Sequence, residues 1–547
     1  MMKIIKIAMA LGIAGIFLSG NSAPVEIDCN SPVVTKSGLV AGKKEDNADV
    51  CVWKGIPFAA PPVGELRWRA PQPMPKWDGV REAKEFGHRC MQKGIFKLEV
   101  ATSKEGMSED CLYLNVWRPK SQEGLRPIPV MFWIHGGGYT GGSANTPMYW
   151  GDRLAEQGNV VVVSTNYRLN VFGFFSSPAL AEEDHNKSVG NYAILDLIAA
   201  LKWVHDNISN FGGDPNNVTI FGESAGGFAV CALLATPLGK GLFHKAILES
   251  GGCTASESLE QGYEHGKEIA RNLGCDEKDL KCLRAIPAKT LLEKGSGGMM
   301  QRGSVPHHDG YVLKDTPLSI IEAGNYNRVP FMAGSCRDEF GNTLRLMKRF
   351  KKIQPENYEQ GLIDEFNVPP EDAKKLVQLY PLSEFHNRPV EAYGRMFGAD
   401  ASLGCPTYLG LLAVSKQQQD TYHYRFDYDE MALGKYFGAA HSFEIPFIFD
   451  AFDRMPMNLL YTRKNTAQAK ALGKIIQAYW VNFAKTGNPN GEGLPFWSPF
   501  RADSQQTQIL DREIKTEAGT FKERCEFLDD YTTKHKLDMD IIRSKKN

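Results

Sequence analysis

Short apolar runs, rich in β-branched and aromatic residues, alternate along the chain with stretches whose apolar positions recur at helical spacing. A strand covered on both faces reads as a continuous apolar run, and an amphipathic helix as apolar residues three and four apart. That pattern predicts strands at Ile128–Ile134, 160–164, 218–221, 246–248, 330–333 and Thr421–Phe426. Residues 191–208 (NYAILDLIAALKWVHDNI) carry helical periodicity between two of them. Residues 255–325 read as helix-rich with turn punctuation, and 355–420 as largely helical. Strand and helix in alternation imply an α/β fold with a mostly parallel sheet. The helical regions read as large insertions packed around that one sheet. No repeat, low-complexity tract or Pro/Gly/Ser linker divides the chain.

At 547 residues, with 42% hydrophobic and 23% charged, the composition is that of a globular chain with ample core. A formal net charge of −1 gives no reason to expect nucleic acid or an anionic membrane as partner. The start changes the picture. Lys3 and Lys6 flank a basic segment, residues 7–18 are apolar without an acid, and Ser19-Gly20-Asn21-Ser22-Ala23 are small or polar. This is the layout of a secretory signal peptide, and Pro24 disfavours cleavage directly after Ala23, so 1–22 is read as the signal. The mature chain is then expected to be exported, periplasmic or secreted. Residues 23–533 read as a single domain, and 534–547 as a basic, solvated tail. No later run reaches the about 20 apolar residues a membrane span needs, so no stable span is expected in the mature chain. Eleven cysteines in an exported chain suggest disulfides, and the odd count leaves at least one free.

The chemistry starts at Phe221-Gly222-Glu223-Ser224-Ala225-Gly226-Gly227, which follows an apolar strand run and precedes Phe228-Ala229-Val230-Cys231-Ala232-Leu233-Leu234. A serine at the tip of a tight strand-to-helix turn needs small neighbours two residues either side, because side chains there would collide across the turn. The hydroxyl stands clear of the sheet, and the helix N-terminus offers free N–H groups. Upstream, directly after Ile128–Ile134, lies His135-Gly136-Gly137-Gly138-Tyr139. Consecutive glycines let backbone N–H groups approach a substrate oxygen and complete an oxyanion hole with the N–H of Ala225.

In this arrangement the acid and histidine follow the serine in that order. After the strand at 330–333 comes Cys336-Arg337-Asp338-Glu339-Phe340-Gly341, where spacing admits either Asp338 or Glu339. Of the later histidines, His423 sits in an alternating strand, His386 among loop residues and His535 in the charged tail. His441 lies in a loop of small residues after Gly438-Ala439-Ala440, suited to presenting an imidazole. His307-His308-Asp309 is a weak metal pattern, since adjacent histidines on a loop seldom converge on one ion; no metal and no cofactor is expected.

Taken together, these motifs resemble the type-B carboxylesterase/lipase family, which includes the para-nitrobenzyl esterases, the cholinesterases and the inactive neuroligins. Matching stretches run almost end to end: Lys54-Gly55-Ile56-Pro57-Phe58-Ala59-Ala60-Pro61-Pro62, Ser108-Glu109-Asp110-Cys111-Leu112-Tyr113-Leu114-Asn115, the glycine loop, Asn166-Tyr167-Arg168, and Asn210-Phe211-Gly212-Gly213-Asp214-Pro215. The resemblance implies the α/β-hydrolase fold and a triad of Ser224, Glu339 and His441, with Glu339 chosen over Asp338. It implies oxyanion donors at Gly137, Gly138 and Ala225, an Arg67–Glu109 ion pair, and a supporting network around Ser250 and Glu444. Phe340 stands where the family's acid loop usually has a glycine. The same resemblance implies disulfides Cys90–Cys111, Cys275–Cys282 and Cys405–Cys525, and leaves Cys29 to pair with Cys51. Cys231, Cys253 and Cys336 are then expected as buried thiols.

The expected activity is hydrolysis of small-molecule carboxylic esters through an acyl-enzyme; the sequence leaves the oligomeric state open and favours a monomer. One alternative is a lipase acting on longer acyl chains; another is a catalytically inactive binding module on the same fold, against which the retained triad positions argue. Residues 91–110 hold no tryptophan to receive a quaternary ammonium by cation–π contact, which argues against choline esters. Phe340, Tyr139, Phe437 and Phe443 are candidate gorge-lining aromatics. An unperturbed imidazole at His441 would make activity fall below about pH 6–7.

Overall fold

The computed structural model describes residues 25–26, 28–93, 105–122, 126–296, 303–462, 464–519 and 521–535. The expected signal peptide at 1–22 lies outside the described residues, as do residues 536–547 of the expected tail. Lys534 and His535 differ from expectation, because they close the helix Lys522–His535.

One sheet of eleven strands organises the chain. In chain order they are β1 (Lys43–Lys44), β2 (Val50–Pro57), β3 (Tyr113–Pro119), β4 (Ile128–Ile134), β5 (Val161–Thr165), β6 (Gly213–Glu223), β7 (Lys245–Glu249), β8 (Phe331–Cys336), β9 (Thr421–Phe426), β10 (Gln506–Leu510) and β11 (Lys515–Ala518). Their order across the sheet is β11-β10-β9-β8-β7-β6-β4-β5-β3-β2-β1. Strands β5-β4-β6-β7-β8-β9-β10 pair in parallel, and antiparallel strands finish both edges. Every run predicted as a strand is one, and the helix expected at 191–208 spans Tyr192–Asn207. The sheet and its flanking helices form the α/β-hydrolase fold.

The apolar runs are continuous because both faces are covered. In β4, Val130, Phe132 and Ile134 join the core under helices α1 (Tyr192–Asn207) and α2 (Ala225–Ala235), while Met131 and Trp133 point into a second core. That second core is capped by helix α3 (Thr466–Thr486), whose Trp480 and Phe483 are buried in it. All residues of α2 are buried, which accounts for a helix that is apolar all round. The 255–325 insertion folds as helices Leu259–Leu273, Leu280–Ala285, Ala288–Gly295 and Pro317–Glu322. Residues 355–420 fold as helices that include a π-helical stretch at Gly394–Gly404.

Five disulfides are present. Cys29–Cys51, Cys90–Cys111, Cys275–Cys282 and Cys405–Cys525 pair as expected. The expectation of three buried thiols is corrected: Cys231 and Cys253 are bonded to each other, with Cα atoms 5.3 Å apart, and Cys336 alone is free and buried. Helix α2 and the loop after β7 bring the pair together, a proximity that no local spacing announces. The Arg67–Glu109 ion pair forms in bidentate geometry, at 2.7 and 2.6 Å, and the remaining Arg67 nitrogen donates to the carbonyls of Arg284 and Ile286.

Candidate active site

The carboxyl ends of β4, β6, β7 and β8 lie side by side, the place where open α/β sheets bind ligands. Ser224 caps α2 at φ 58°, ψ −122°, a backbone region that non-glycine residues occupy only where the surrounding structure imposes it. The glycines on either side show what imposes it. A Cβ on Gly222 would stand 2.7 Å from the Gly226 carbonyl carbon, and a Cβ on Gly226 would overlap the Ile134 carbonyl oxygen. Helix α2 is thereby pressed against the end of β4, and the Ser224 N–H donates to the Glu249 carbonyl at 2.9 Å.

The glycine loop follows β4 directly. Gly137 and Gly138 take φ of 115° and 60°, conformations that an L side chain resists. Among the described residues, the N–H groups of Gly137 and Gly138 donate to no acceptor. The N–H of Ala225, the first residue of α2, has no partner within its helix. Position 136 also needs to be small, since a Cβ there would sit 3.0 Å from Ser224 Cβ.

Glu339 follows β8 at φ 39°. His441 Nδ1–H donates to its Oε2 at 2.6 Å, and Oε1 accepts the Ser250 hydroxyl and the Cys336 N–H, each at 2.7 Å. Glu444 Oε1 lies 3.3 Å from the Ser250 hydroxyl, and the Cys336 thiol donates to Glu444 Oε2 at 2.9 Å. The structure therefore brings Glu339, His441, Ser250 and Glu444 together. It leaves His423 apart, buried in the core on Thr507 with its pKa pushed down to about 3 by desolvation. Asp338 does not reach His441 and pairs instead with Arg337.

Nothing in the sequence reading singled out Glu223. Its Oε1 lies 3.0 Å from His441 Nε2 and accepts the Ser442 hydroxyl at 2.6 Å, while among the described residues Ser224 and His441 share no direct hydrogen bond. A charged residue next to the serine, just past the run at 218–221, was the available signal. Burial alone would lower the His441 pKa, but the carboxylates of Glu223 and Glu339 outweigh it and hold it at about 9. Burial, together with the charges of Glu223 and Glu339, lifts Glu444 to about 8. Three carboxyl groups thus surround one imidazole, and His441 departs from the unperturbed pKa that the sequence suggested.

Of the candidate gorge aromatics, Tyr139 is buried in the core against Tyr167 and Phe174, whereas Phe340 is half-buried with its ring on His441. Phe437 and Phe443 pack on each other. His307 pairs with Glu257 at 2.9 Å, and Asp309 accepts loop N–H groups from Tyr311 and Val312. Among the described residues no three His, Cys, Asp or Glu side chains are grouped to hold a metal ion.

An elbow serine, a glycine loop and a buried Glu–His pair lie at the carboxyl edge of this α/β-hydrolase sheet. The chain belongs to the carboxylesterase family, whose profile matches residues 30–528. It is similar to the fumonisin B1 esterase of Sphingopyxis macrogoltabida, 36% identical over 90% of this chain and 89% of that one. It is equally similar to the para-nitrobenzyl esterase of Bacillus subtilis, 36% identical over 89% and 96%. A solved PNB esterase structure superposes with a TM-score of 0.75 at 35% identity, covering 91% of this chain and all of that one. The protein is a carboxylic ester hydrolase whose substrates are small-molecule esters. Among the described residues no helix is long and apolar enough to cross a membrane.

Proposed function

We propose that the enzyme works through an acyl-enzyme on Ser224, with His441 as general base and Glu339 as its orienting acid. The 2.6 Å bond from His441 Nδ1 to Glu339 carries this reading, because it fixes the tautomer that leaves Nε2 to accept a proton. As Ser224 Oγ attacks the ester carbonyl carbon, its proton passes to Nε2. The carbonyl π electrons move to oxygen, where the N–H groups of Gly137, Gly138 and Ala225 hold the charge. Collapse breaks the C–O bond, and the alcohol leaves with the proton from His441. Water then attacks the acyl carbon, gives its proton to Nε2 and releases the acid and the Ser224 hydroxyl. Losing one such oxyanion donor typically raises the barrier by about 3–4 kcal/mol. Ser250 and Glu444 support Glu339 from behind.

Residues 23–533 act as one catalytic domain in this reading, and the protein is exported. The basic and apolar start and the five disulfides support export, since disulfides persist in oxidising compartments. Turnover of p-nitrophenyl acetate and butyrate by wild type and by Ser224→Ala tests the catalytic reading. Wild type is expected to turn over and the variant to lose nearly all activity. Equal, negligible turnover in both would favour an inactive binding module. Preference for emulsified long-chain esters over soluble short ones would make the enzyme a lipase.

A further inference from the structure

The Phe340 and His441 rings lie with centroids 4.3 Å apart and planes inclined at 46°. The Phe340 backbone is held at both ends. Its N–H donates to the Gly398 carbonyl at 2.9 Å, and its own carbonyl accepts the Thr343 N–H at 3.0 Å and the Thr343 hydroxyl at 2.6 Å. Behind it the chain has no slack, since a Cβ on Gly398 would come within 2.5 Å of Gly341 Cα. The ring is half-buried, so part of its surface is not covered by the core.

The chemistry says which part of an ester meets that surface. Nδ1 is taken by Glu339, so His441 can hand a proton to the departing alcohol only from Nε2. The alcohol oxygen must therefore come within hydrogen-bond distance of Nε2, roughly 3 Å. Its first carbons lie one or two bonds further on, within van der Waals reach of whatever covers the imidazole. The carbonyl oxygen is drawn the other way, to the glycine loop and Ala225. We propose that Phe340 is a specificity-determining residue for the alcohol half of the ester, an apolar wall that favours esters of bulky apolar alcohols, such as benzyl, over those of small ones. This rests on the acyl-enzyme reading with His441 as the proton carrier.

Two ester series separate the halves of the substrate. One holds the acyl group as butyrate and varies the alcohol from methyl to benzyl; the other holds p-nitrophenol and varies the acyl chain from acetate to octanoate. Comparing kcat/KM ratios between enzymes cancels the intrinsic reactivity of each ester. In Phe340→Ala the benzyl-to-methyl ratio is expected to fall about tenfold or more, the order of a lost apolar contact in a pocket. The acyl ranking is expected to stay within about twofold of wild type. Phe340→Leu, which keeps an apolar side chain, is expected to retain most of the alcohol preference and provides a folded variant should alanine unfold the loop. A shifted acyl ranking with an unmoved alcohol ratio, or a uniform loss across both series in either variant, overturns the proposal. Turnover that persists in Ser224→Ala overturns the acyl-enzyme reading instead, so the two failures are distinct.

Discussion

Asp338 and Ala439 grip one another in both directions: the Asp338 N–H donates to the Ala439 carbonyl at 3.0 Å, and the Ala439 N–H donates to the Asp338 carboxylate at 2.9 Å. Two residues further along, the His441 N–H donates to the Glu339 carbonyl at 3.1 Å. The acid loop and the histidine loop are thus zipped backbone to backbone, and the Glu339–His441 side-chain pair forms at the end of that zip. Burial would raise the Asp338 carboxyl, but the charges of Arg337, Arg395 and Arg345 hold it below its usual range.

The two neighbouring acids are therefore expected to fail differently when changed. In the proposed mechanism Glu339→Gln removes the charge that orients and stabilises the imidazolium, and kcat should fall by about 10⁴-fold, as when a triad acid is neutralised. Asp338→Ala leaves every reacting group in place and loosens only the loop that presents His441. A displacement of about 1 Å can cost on the order of 100-fold, so a loss up to that size is expected, with a lower Tm. Steady-state turnover of p-nitrophenyl butyrate and thermal melts check both. Losses of equal size would mean that Asp338 does more than position the loop.

The pH profile follows from the carboxylates around His441. The proposed mechanism requires neutral imidazole, and a pKa raised to about 9 keeps it protonated over a wider range. The acid limb of kcat/KM is expected above the 6.5 of a free imidazole, with activity still rising towards pH 9. Glu223→Gln removes the charge nearest Nε2, so the limb should move down by about one unit or more. A wild-type limb at 6.5 that Glu223→Gln does not move would show that Glu223 carries no charge beside the base.

What could be read beforehand divides along physical lines. Strands β4 to β8 announce themselves because both faces are covered and each carries an apolar run, whereas β9 reads as an alternating strand. The edge strand β11, Lys515–Ala518, is largely exposed and carries no such signal, and β1 has two lysines. The elbow was legible because the Gly222 and Gly226 constraint is local, fixed by atoms four residues apart and one neighbouring strand. Spacing alone left Asp338 and Glu339 open, since the choice turns on the left-handed backbone at Glu339 and on where the 438–441 loop lands. Cys231–Cys253 and the Glu223 contact to His441 were hidden for the same reason: each joins segments that only the assembled sheet brings together.

The packing at Gly226 gives a stability test. Alanine there would drive a methyl group into the Ile134 carbonyl oxygen, where backbone faces it and no side chain can move aside. Helix α2 must then shift away from β4 and carry Ser224 with it. Gly226→Ala is expected to cost about 1–3 kcal/mol or more in urea unfolding, as overpacking does, and to lower kcat sharply. Unchanged turnover would mean that the elbow tolerates displacement.

The fifth disulfide makes the last prediction. Cys231 lies on α2, which carries Ser224 at its N-terminus, and Cys253 lies three residues after Ser250, which holds Glu339. The bond thus ties the helix that follows Ser224 to the loop that supports Glu339. Closing a loop of 22 residues stabilises by roughly 3 kcal/mol in the chain-entropy model. Cys231→Ala/Cys253→Ala is expected to lower Tm by several degrees, at about 2–4 °C per kcal/mol or somewhat less for a chain of this size. Cys336→Ala removes a thiol that closes no loop, so it separates the cross-link from the loss of a buried sulfur. If the double variant melts no lower than Cys336→Ala, the cross-link contributes nothing to stability. If it melts lower yet keeps wild-type kcat at 25 °C, the tie stabilises the fold without setting the Ser224–Glu339 geometry. A fall in both Tm and kcat is the expected result, because the same loop positions Ser250.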